Sequence, residues 1–493
     1  MNEKKLSRPL ISLIVSIALI IVGIAGSFIL QTNSGKTTIR NVTIESESGH
    51  TLAMDVYIPE NATAETPAPA IFVQHGGNNN KEEIQHYCIE LARRGYVAIG
   101  VDMYGMGESE PLPDSEWLTQ GRGLYDAVRY GVTLPYVDTD RVSLLGYSRG
   151  GKAAGEALQC DNDSLNVVKA IFLIHSDPIV RNSEGYTDVY GARDVAVLAD
   201  KNDEFFFSEK ANDNGTYSND ANKYAANLSS PAEYVINNSA QSFLYFGIDP
   251  ATTSEQRVAE TVYEQDYGGK TGSRQIFVSN ETHMAGWWSP LVMNRVLTFF
   301  NRVMPTGTAL SASSYTYTIW NIFKIIALSG LLFALAMALS FIEGTLVIPG
   351  LLPGMKLGLA NIVVMYALFF MGPRQALVLD ILKALFVFLV SGFTAGFLSL
   401  CGGLLSLLVM WVLYYLLPVR PTWFILSVCG ALAHNIGQLL GAGVIISSSL
   451  SFYYAPVMLV LGLVMGALTS ITLKALLPAL GKMGFSTQEK RGE

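Results

Sequence analysis

The chain has 493 residues, 50% of them hydrophobic, and a net charge of −8 at pH 7. This net charge is the sum of two unlike parts. Residues 31–304 hold 21 Lys+Arg and 36 Asp+Glu, whereas the remainder of the chain holds 12 Lys+Arg and 5 Asp+Glu. Basic and aromatic residues are not interleaved, which argues against a nucleic-acid partner. The 4 cysteines show no Cys/His ligand spacing, so we predict no metal site and no cofactor.

The N-terminus has the pattern of a membrane anchor. Residues 9–30 are almost wholly apolar and follow Lys4, Lys5 and Arg8. Such a run matches the roughly 30 Å hydrocarbon core of a bilayer, and the flanking charges favour a cytoplasmic N-terminus. A cleaved signal peptide is the alternative. Because the apolar run is long and no clear cleavage site follows it, we predict an uncleaved anchor over residues 1–36.

Residues 37–303 have the pattern of an α/β domain. Apolar, β-branched runs recur at 70–74, 97–101, 142–145, 170–174, 195–198 and 275–278. Helical stretches lie between several of them, such as Lys81–Arg94 and Trp117–Val132. Strands that alternate with helices predict a mostly parallel, doubly wound sheet. The polar stretch 304–318 is predicted to be a linker.

The most informative motif is Gly-Tyr-Ser-Arg-Gly at 146–150, directly after the apolar run 141–145. It fits a G-x-S-x-G nucleophile elbow, in which a strand enters a helix through a strained turn. The flanking glycines are needed because Cβ atoms there would clash. Ser148 is therefore the predicted nucleophile, and it requires a base and an orienting carboxylate.

Loops after later predicted strands carry residues that resemble the rest of an α/β-hydrolase triad. In that family the acid lies in the turn after such a strand, here the predicted strand 195–198. Asp203 is our first choice for the acid, Asp200 the second and Glu204 the third. The family's histidine belongs in the loop after the last strand, which contains His283. The chain order with Ser148 first, then acid, then histidine matches the family. Dienelactone-hydrolase-like and acyl-peptidase-like esterases are the nearest resemblance.

Two glycine-containing segments extend this resemblance. His75-Gly76-Gly77 follows a strand where the family places its oxyanion loop, which implies that the Gly77 or Asn78 N–H joins that of Arg149. Residues 102–109 resemble the family's D-x-x-G-x-G-x-S turn. His75 is expected to be structural rather than catalytic.

The implied reaction is acyl transfer to Ser148 on a small-molecule ester, or on an amide or peptide, without a cofactor. His283 would accept the serine proton, and the two backbone N–H groups would hold the oxyanion. The Asn/Ser-rich segment 212–242 is predicted to form a lid or surface loop. Five aromatic residues could line an apolar pocket, although core packing is the alternative for most: Phe205, Phe206, Phe207, Trp287 and Trp288.

Residues 319–480 are predicted to form an all-α membrane domain of six helices, followed by a polar tail, 481–493. The predicted spans are 319–342, 356–372, 375–398, 400–417, 423–447 and 453–477. Polar groups inside a bilayer usually face a cavity or each other. The candidate binding residues are Glu343, Lys356, Asn361, His434, Asn435 and Gln438.

Two pairs in this half have helical spacing. His434 and Gln438 stand at i and i+4, on one helix face, and Asp380 and Lys383 stand at i and i+3, where they can neutralise each other. The second pair is as consistent with a structural role as with a functional one.

Three segments of this half resemble the Gx transporter family, also labelled heptaprenyl diphosphate synthase component I. They are KLGLAN at 356–361, the glycine- and leucine-rich run 402–410, and AHNIGQ at 433–438. The family is similar to substrate-binding membrane components of energy-coupling-factor transporters, which implies a small-molecule module and energising transporter subunits as partners. An isoprenoid-related role rests on the family label alone, since no Asp-rich Mg²⁺ motif is present.

Together these patterns predict a multi-pass cell-membrane protein with an extracytoplasmic serine hydrolase domain. The alternative is a transport or binding protein whose hydrolase fold is an inactive receptor. Sidedness stays open: one anchor and six helices leave the C-terminus outside, whereas Arg374, Arg420 and the basic tail favour the cytoplasm.

Overall fold

The computed structural model describes residues 8–47, 49–112, 119–203, 231–345, 361–416, 421–446 and 455–482. The chain divides into two compact units. Phe28–Trp320 form one, which we call the α/β unit; Met1–Ser27 and Asn321–Glu493 form the other, which we call the helical unit. A helix, α1 (Arg8–Gln31), precedes the first strand.

The α/β unit contains a nine-stranded sheet in the order β1-β2-β4-β3-β5-β6-β9-β11-β10, and a separate two-stranded ribbon, β7-β8. The strands are β1 (Thr37–Glu45), β2 (Thr51–Pro59), β3 (Ala68–Gln74), β4 (Val97–Val101), β5 (Val137–Tyr147), β6 (Val168–Ile174), β7 (Arg181–Asn182), β8 (Gly185–Tyr186), β9 (Asp194–Asp200), β10 (Tyr263–Asp266) and β11 (Thr271–Ser279). The six strands from β4 to β11 in the sheet order are parallel. They contain the six predicted runs, and the mostly parallel α/β prediction is confirmed.

The antiparallel strands β1, β2 and β10 are absent from the sequence prediction. The central strands are buried on both faces and therefore have continuous apolar sequences. In contrast, β1 alternates between partly buried and exposed positions, and β10 (Tyr263–Asp266) is mostly exposed. Edge strands of this kind offer no apolar run from which they could be recognised.

Five helices in the described part of the α/β unit cover both faces of the sheet. They are α2 (Gln85–Ala92), α3 (Leu124–Gly131), α4 (Arg149–Asn162), α5 (Asn238–Leu244) and α6 (Pro290–Val303). One hydrophobic core contains side chains of α3, α4 and α5, and a second contains those of α2 and α6. The sheet is therefore doubly wound, with a core on each face, as predicted.

The segment predicted to be a linker, 304–318, packs onto the α/β unit. Glu90 Oε1 accepts a hydrogen bond from the Thr316 N–H at 2.6 Å, and the Arg94 guanidinium donates to the carbonyls of Ser311 and Ser314. Trp320 is 3% exposed within the core that includes α2 and α6. Backbone groups of this polar segment therefore form hydrogen bonds with the buried charged side chains of Glu90 and Arg94.

The helical unit contains α7 (Tyr317–Thr345), whose first residues belong to the α/β unit, and α8 (Asn361–Tyr366), α9 (Pro373–Ser391), α10 (Phe393–Trp411), α11 (Trp423–Ile446) and α12 (Ala455–Lys482). Short π-helical turns continue α8 to Met371 and α10 to Leu416. The break between α9 and α10 is at Gly392, with φ +89°, and not near residue 399 as predicted. Glycine reaches this left-handed conformation without a Cβ penalty.

Among the described residues, two helices are long and apolar enough to cross a membrane, Phe393–Leu416 and Trp423–Ile445. Within the helical unit α1 packs closely on α7. A Cβ on Gly23 would lie 2.5 Å from the Ala327 nitrogen, so this glycine allows the two backbones to approach.

Candidate active site

The nucleophile elbow joins β5 to α4. Ser148 has φ 53° and ψ −115°, a strained conformation for a residue with a side chain, and its N–H donates to the Ile174 carbonyl at 2.7 Å. A Cβ on Gly146 would lie 2.2 Å from the Gly150 carbonyl oxygen, and one on Gly150 would lie 2.4 Å from that of Gln74. The two glycines are thus required by close backbone contacts, which is the reason given by the sequence motif.

Three predicted side chains meet at the end of the sheet. Ser148 Oγ lies 2.9 Å from His283 Nε2. On the other side of the ring, His283 Nδ1 lies 3.0 and 2.9 Å from the two carboxylate oxygens of Asp203. Asp203 is fully buried and His283 is 8% exposed. The arrangement contains a nucleophile, a base within hydrogen-bond reach and a carboxylate that orients the base.

Asp200, the second choice for the acid, belongs to a different pair. Its Oδ2 lies 2.6 Å from His175 Nε2, and its Oδ1 accepts a hydrogen bond from the Ser279 hydroxyl. Asp200 is the last residue of β9, whereas Asp203 lies three residues farther into the loop that faces His283. Two His–Asp pairs therefore lie side by side, and only one of them includes Ser148.

The ring of His175 was not assigned a role from the sequence. It lies 5.0 Å from the ring of His283, and the Tyr147 ring packs beside both at 5.2 and 5.8 Å. His175 follows β6 directly and has φ 51°. Its position directly after a predicted strand marked it as a possible site residue, but nothing in the sequence indicated that it pairs with Asp200.

The same cluster has the spacing of a metal site, because donor atoms of His175, Asp203 and His283 lie within 4.8 Å of one another. A metal bound to all three would replace the hydrogen bonds between Asp203 and His283. We therefore treat Asp203 and His283 as partners of Ser148, and the absence of a metal cofactor stays a prediction.

The predicted oxyanion loop is held by Glu83. Its Oε2 accepts a hydrogen bond from the Gly76 N–H at 2.7 Å, and its Oε1 accepts one from Asn79 Nδ2 at 3.0 Å. Burial raises the pKa of Glu83 to about 8, against the donated hydrogen bonds that lower it. Asn78 has φ 59°, so the loop is sharply bent between the two residues that Glu83 holds.

Arg149 lies close to the predicted oxyanion loop. Arg149 is the first residue of α4, so its backbone N–H lies at a helix N-terminus. Its half-buried guanidinium packs over Gly77, where a Cβ would lie 3.1 Å from Cζ. The roles of Gly77, Asn78 and Arg149 as oxyanion donors stay predictions.

The turn at 102–109 supports the neighbouring loop. The Asp102 carboxylate accepts hydrogen bonds from the Lys81 N–H at 2.6 Å and the Glu108 N–H at 2.9 Å. His75 is fully buried, and burial lowers its pKa to about 4. Its Nε2 accepts a hydrogen bond from the Met103 N–H at 3.0 Å, which fits the structural role expected of it.

Several residues predicted to belong to the active site or to the binding site of the helical unit lie outside the described part of the chain. Glu204, Lys356, the three phenylalanines 205–207 and most of the predicted lid lie outside the described residues. Glu343 is in α7, but its side chain is also outside them. Of the two tryptophans, Trp287 packs against Tyr147 with ring centroids 5.9 Å apart, whereas Trp288 is 61% exposed.

The helical unit buries a separate group of polar side chains. Lys383 Nζ lies 2.7 Å from Asp380 and donates to Asn361 Oδ1 at 2.6 Å, so the predicted pairing of Asp380 and Lys383 is confirmed. His434 and Gln438 also meet as their spacing predicts, with Nε2 atoms 3.1 Å apart.

Asn435, the residue after His434, faces another helix. Its amide donates to the Met458 carbonyl of α12 at 2.6 Å. Two adjacent glycines of α10 leave space for the polar side chains of the neighbouring helices. A Cβ on Gly402 would lie 2.7 Å from the His434 ring, and one on Gly403 would lie 2.2 Å from the Asp380 carboxylate. A binding role for these residues stays a prediction.

Comparison with known families divides the chain in the same way. Residues 48–315, more than half of the chain, match the family model described as X-Pro dipeptidyl-peptidase (S15 family). The chain belongs to this family. Residues 332–476 match the model described as heptaprenyl diphosphate synthase component I, so the helical unit is Gx-transporter-like. The S15 match and the sheet topology make the first unit hydrolase-like with an α/β-hydrolase fold.

Individual relatives are more distant. An uncharacterised protein of Pseudomonas aeruginosa is 30% identical over 159 residues, which cover 31% of this chain and 42% of that protein. The chain therefore matches less than half of this relative's length. The crystal structure of the same protein aligns with a TM-score of 0.37 and 14% identity, over 55% of this chain and 95% of that one.

A dienelactone hydrolase-like promiscuous phosphotriesterase from metagenomic libraries aligns with a TM-score of 0.29 and 17% identity, over 36% of this chain and 73% of that one. These structural likenesses are partial, so the fold assignment rests on the S15 family match and on the sheet order.

Proposed function

We propose that the α/β unit of this S15-family chain is a serine hydrolase that cleaves an ester or peptide bond through an acyl-enzyme. The observation that carries the proposal is the continuous contact from Ser148 Oγ through the His283 ring to Asp203, at 2.9 Å on the serine side. The elbow conformation of Ser148 supports it, because strain of this kind is retained where function needs it.

The chemistry follows from the two sides of the imidazole. Asp203 accepts a hydrogen bond from the Nδ1 side, which leaves Nε2 unprotonated and able to accept the proton of the Ser148 hydroxyl. Ser148 then attacks the substrate carbonyl, and His283 returns the proton to the leaving group. Water repeats the sequence to release the acyl group. Asp203 stabilises the imidazolium form without becoming protonated.

The tetrahedral intermediate needs donors for its oxyanion. The Arg149 N–H at the start of α4 is one, and the loop at Gly77 and Asn78 offers the other. Glu83 fixes this loop at Gly76 and Asn79, so the backbone N–H groups are oriented before substrate binds. Loss of one such donor lowers turnover by about 10²- to 10³-fold in other serine hydrolases.

The decisive experiment is labelling of the purified full-length protein with a fluorophosphonate probe. We expect the wild-type protein to be labelled, and Ser148→Ala and His283→Ala to lose the label. Ser176→Ala, a substitution of a buried serine near the elbow, is the matched control and should retain it. Labelled protein would then be tested on short p-nitrophenyl esters and on an Xaa-Pro p-nitroanilide, which separates esterase from X-Pro peptidase activity.

A folded wild-type protein that is not labelled would contradict the proposal. It would favour the alternative in which the hydrolase fold is an inactive receptor for a transport protein. Labelling that persists in Ser148→Ala would contradict the assignment of the nucleophile.

We further propose that the helical unit binds or transports a small molecule within the cell membrane, and that the α/β unit lies outside the cytoplasm. The match to the Gx-transporter-like family and the buried polar side chains support this role. A membrane-impermeant fluorophosphonate tests the sidedness: it should label Ser148 in intact spheroplasts as fully as in lysed ones. Labelling only after lysis would place the α/β unit in the cytoplasm.

A further inference from the structure

The helical unit contains a small, partly open cavity between α8, α10, α11 and α12, distinct from the Ser148 site. Its volume is about 20 Å³, and it is lined by Asn361, Met365, Ser406, Met410, Ser427, Gly430, Ala431, Met465 and Thr469. Space of this size holds one water molecule or one ion, not an organic substrate.

The three hydroxyl groups of the lining have their protons engaged elsewhere. Ser406 Oγ donates to the Gly430 carbonyl at 2.8 Å, and Ser427 Oγ donates to the Gly466 carbonyl at 2.8 Å. Thr469 Oγ1 donates to the Met465 carbonyl at 2.7 Å. A hydroxyl whose proton is used has only lone pairs left to offer. The cavity wall therefore presents acceptor oxygens contributed by α10, α11 and α12.

Charges near the cavity are neutralised in a pair. Asn361, one of the lining residues, accepts a hydrogen bond from Lys383, whose ammonium group lies 2.7 Å from Asp380. Both charged residues are almost fully buried, at 4% and 0% exposure of their side chains. Neither belongs to the lining, so among the described residues the lining has hydroxyl and amide oxygens but no carboxylate.

We propose that this cavity binds a small monovalent cation of the size of sodium. Acceptor oxygens are the ligands that hard cations prefer, and a lining without carboxylates disfavours Ca²⁺ and Mg²⁺, whose protein sites depend on them. The cavity volume of about 20 Å³ fits one such ion. Unlike a solvated surface hydroxyl, each of these oxygens is held by an oriented hydrogen bond and would need little rearrangement.

The three methionines of the lining offer a different chemistry. Thioethers select soft ions such as Cu(I). Met410 Sδ lies close to Gly430, where a Cβ would be 2.7 Å away, so this sulfur packs against the backbone of α11. We assign the methionines to the apolar wall, and an arm of the experiment with Cu(I) separates the two chemistries.

The experiment follows the thermal unfolding of the purified full-length protein in detergent. Chloride salts of sodium, potassium and ammonium are each compared with choline at constant ionic strength, and Cu(I) is tested separately. We expect sodium to raise the unfolding midpoint of the wild-type protein in a saturable way, as a ligand of the native state does. In the double variant Ser406→Ala/Ser427→Ala, the apparent sodium affinity should fall by about tenfold or more, for the loss of two ligands.

Ser470→Ala is the matched control, because Ser470 is equally buried on α12 but outside the lining. It should respond to sodium as the wild-type protein does. If the double variant does not fold in choline, equilibrium dialysis of the wild-type protein against ²²Na⁺ replaces it and should give saturable binding of one ion per chain. A midpoint that sodium does not raise, equal sodium affinity in the double variant, or stabilisation by Cu(I) instead would overturn the proposal. The readout is independent of hydrolase activity.

Discussion

The two units bring their buried polar residues together in different ways. In the α/β unit the residues at the candidate site follow β5, β9 and β11, and up to 135 residues of sequence separate the partners. In the helical unit Asp380 and Lys383 lie three residues apart on α9. A parallel sheet collects distant loops at one edge, whereas a helix pairs neighbours, and this difference decides which contacts a sequence reveals.

Glycine also has a different function in each unit. Gly146 and Gly150 allow backbone segments to approach at the elbow, where a Cβ would lie within 2.4 Å of a carbonyl oxygen. In the helical unit Gly402 and Gly403 accommodate side chains of neighbouring helices, His434 and Asp380. The elbow glycines belong to a motif with known spacing, but the α10 glycines are meaningful only once the helices are packed.

The largest expected effect distinguishes the two His–Asp pairs of the α/β unit. Asp203→Asn would reverse the hydrogen bond to His283 Nδ1 and favour the wrong tautomer, so kcat should fall by about 10⁴-fold. Asp200→Asn is the matched control at the neighbouring pair, and its kcat should fall far less. The measurement is steady-state hydrolysis of an activated ester. Equal losses in both variants would show that Asp203 is not the specific partner.

A second prediction concerns the charge pair of the helical unit. Asp380→Asn would leave the buried Lys383 ammonium without its counter-charge, so the free energy of unfolding of this unit should fall by about 3–5 kcal/mol. The double variant Asp380→Asn/Lys383→Met removes both charges and should recover most of that loss. Equilibrium denaturation in detergent micelles measures both. A double variant no more stable than Asp380→Asn would show that the uncompensated ammonium of Lys383 is not the source of the loss.

The smallest expected effect on activity is a pH dependence from Glu83. Its pKa is raised to about 8 from the usual 4.5, so the folded protein retains a proton that the unfolded chain has lost. The free energy of unfolding should therefore fall as pH rises from 4.5 to 8. Deprotonation also places a negative charge beside the oxyanion loop, which should lower kcat/KM by a few-fold above pH 8.

Glu83→Gln isolates this effect, because glutamine can still accept the Gly76 hydrogen bond but does not titrate. We expect its stability and its kcat/KM to be flatter than those of the wild-type protein over the same pH range, with kcat/KM followed by ester hydrolysis and stability by urea denaturation. Identical alkaline limbs in the two proteins would assign the titration to another group.

The sequence predicted most of the α/β unit because its signals are local. Continuous apolar runs marked the six parallel strands, and the elbow motif located Ser148 at the end of one of them. The edge strands β1 and β10 were missed, since a half-exposed strand lacks such a run. Helix spacing also predicted the two pairs of the helical unit, although the break at Gly392 was misplaced inside an uninterrupted apolar stretch.

Only the tertiary structure decided which carboxylate meets which histidine. Asp200 ends β9 and Asp203 lies three residues beyond it, so that Asp200 meets His175 and Asp203 meets His283. The oxygen-lined cavity is likewise a product of the tertiary structure. Its hydroxyl groups come from three helices, and the sequences of these helices do not indicate how they align with one another. Motif, hydropathy and spacing are properties of the chain and can be read from it. Distances between loops and between helices depend on packing, which a single sequence does not encode locally.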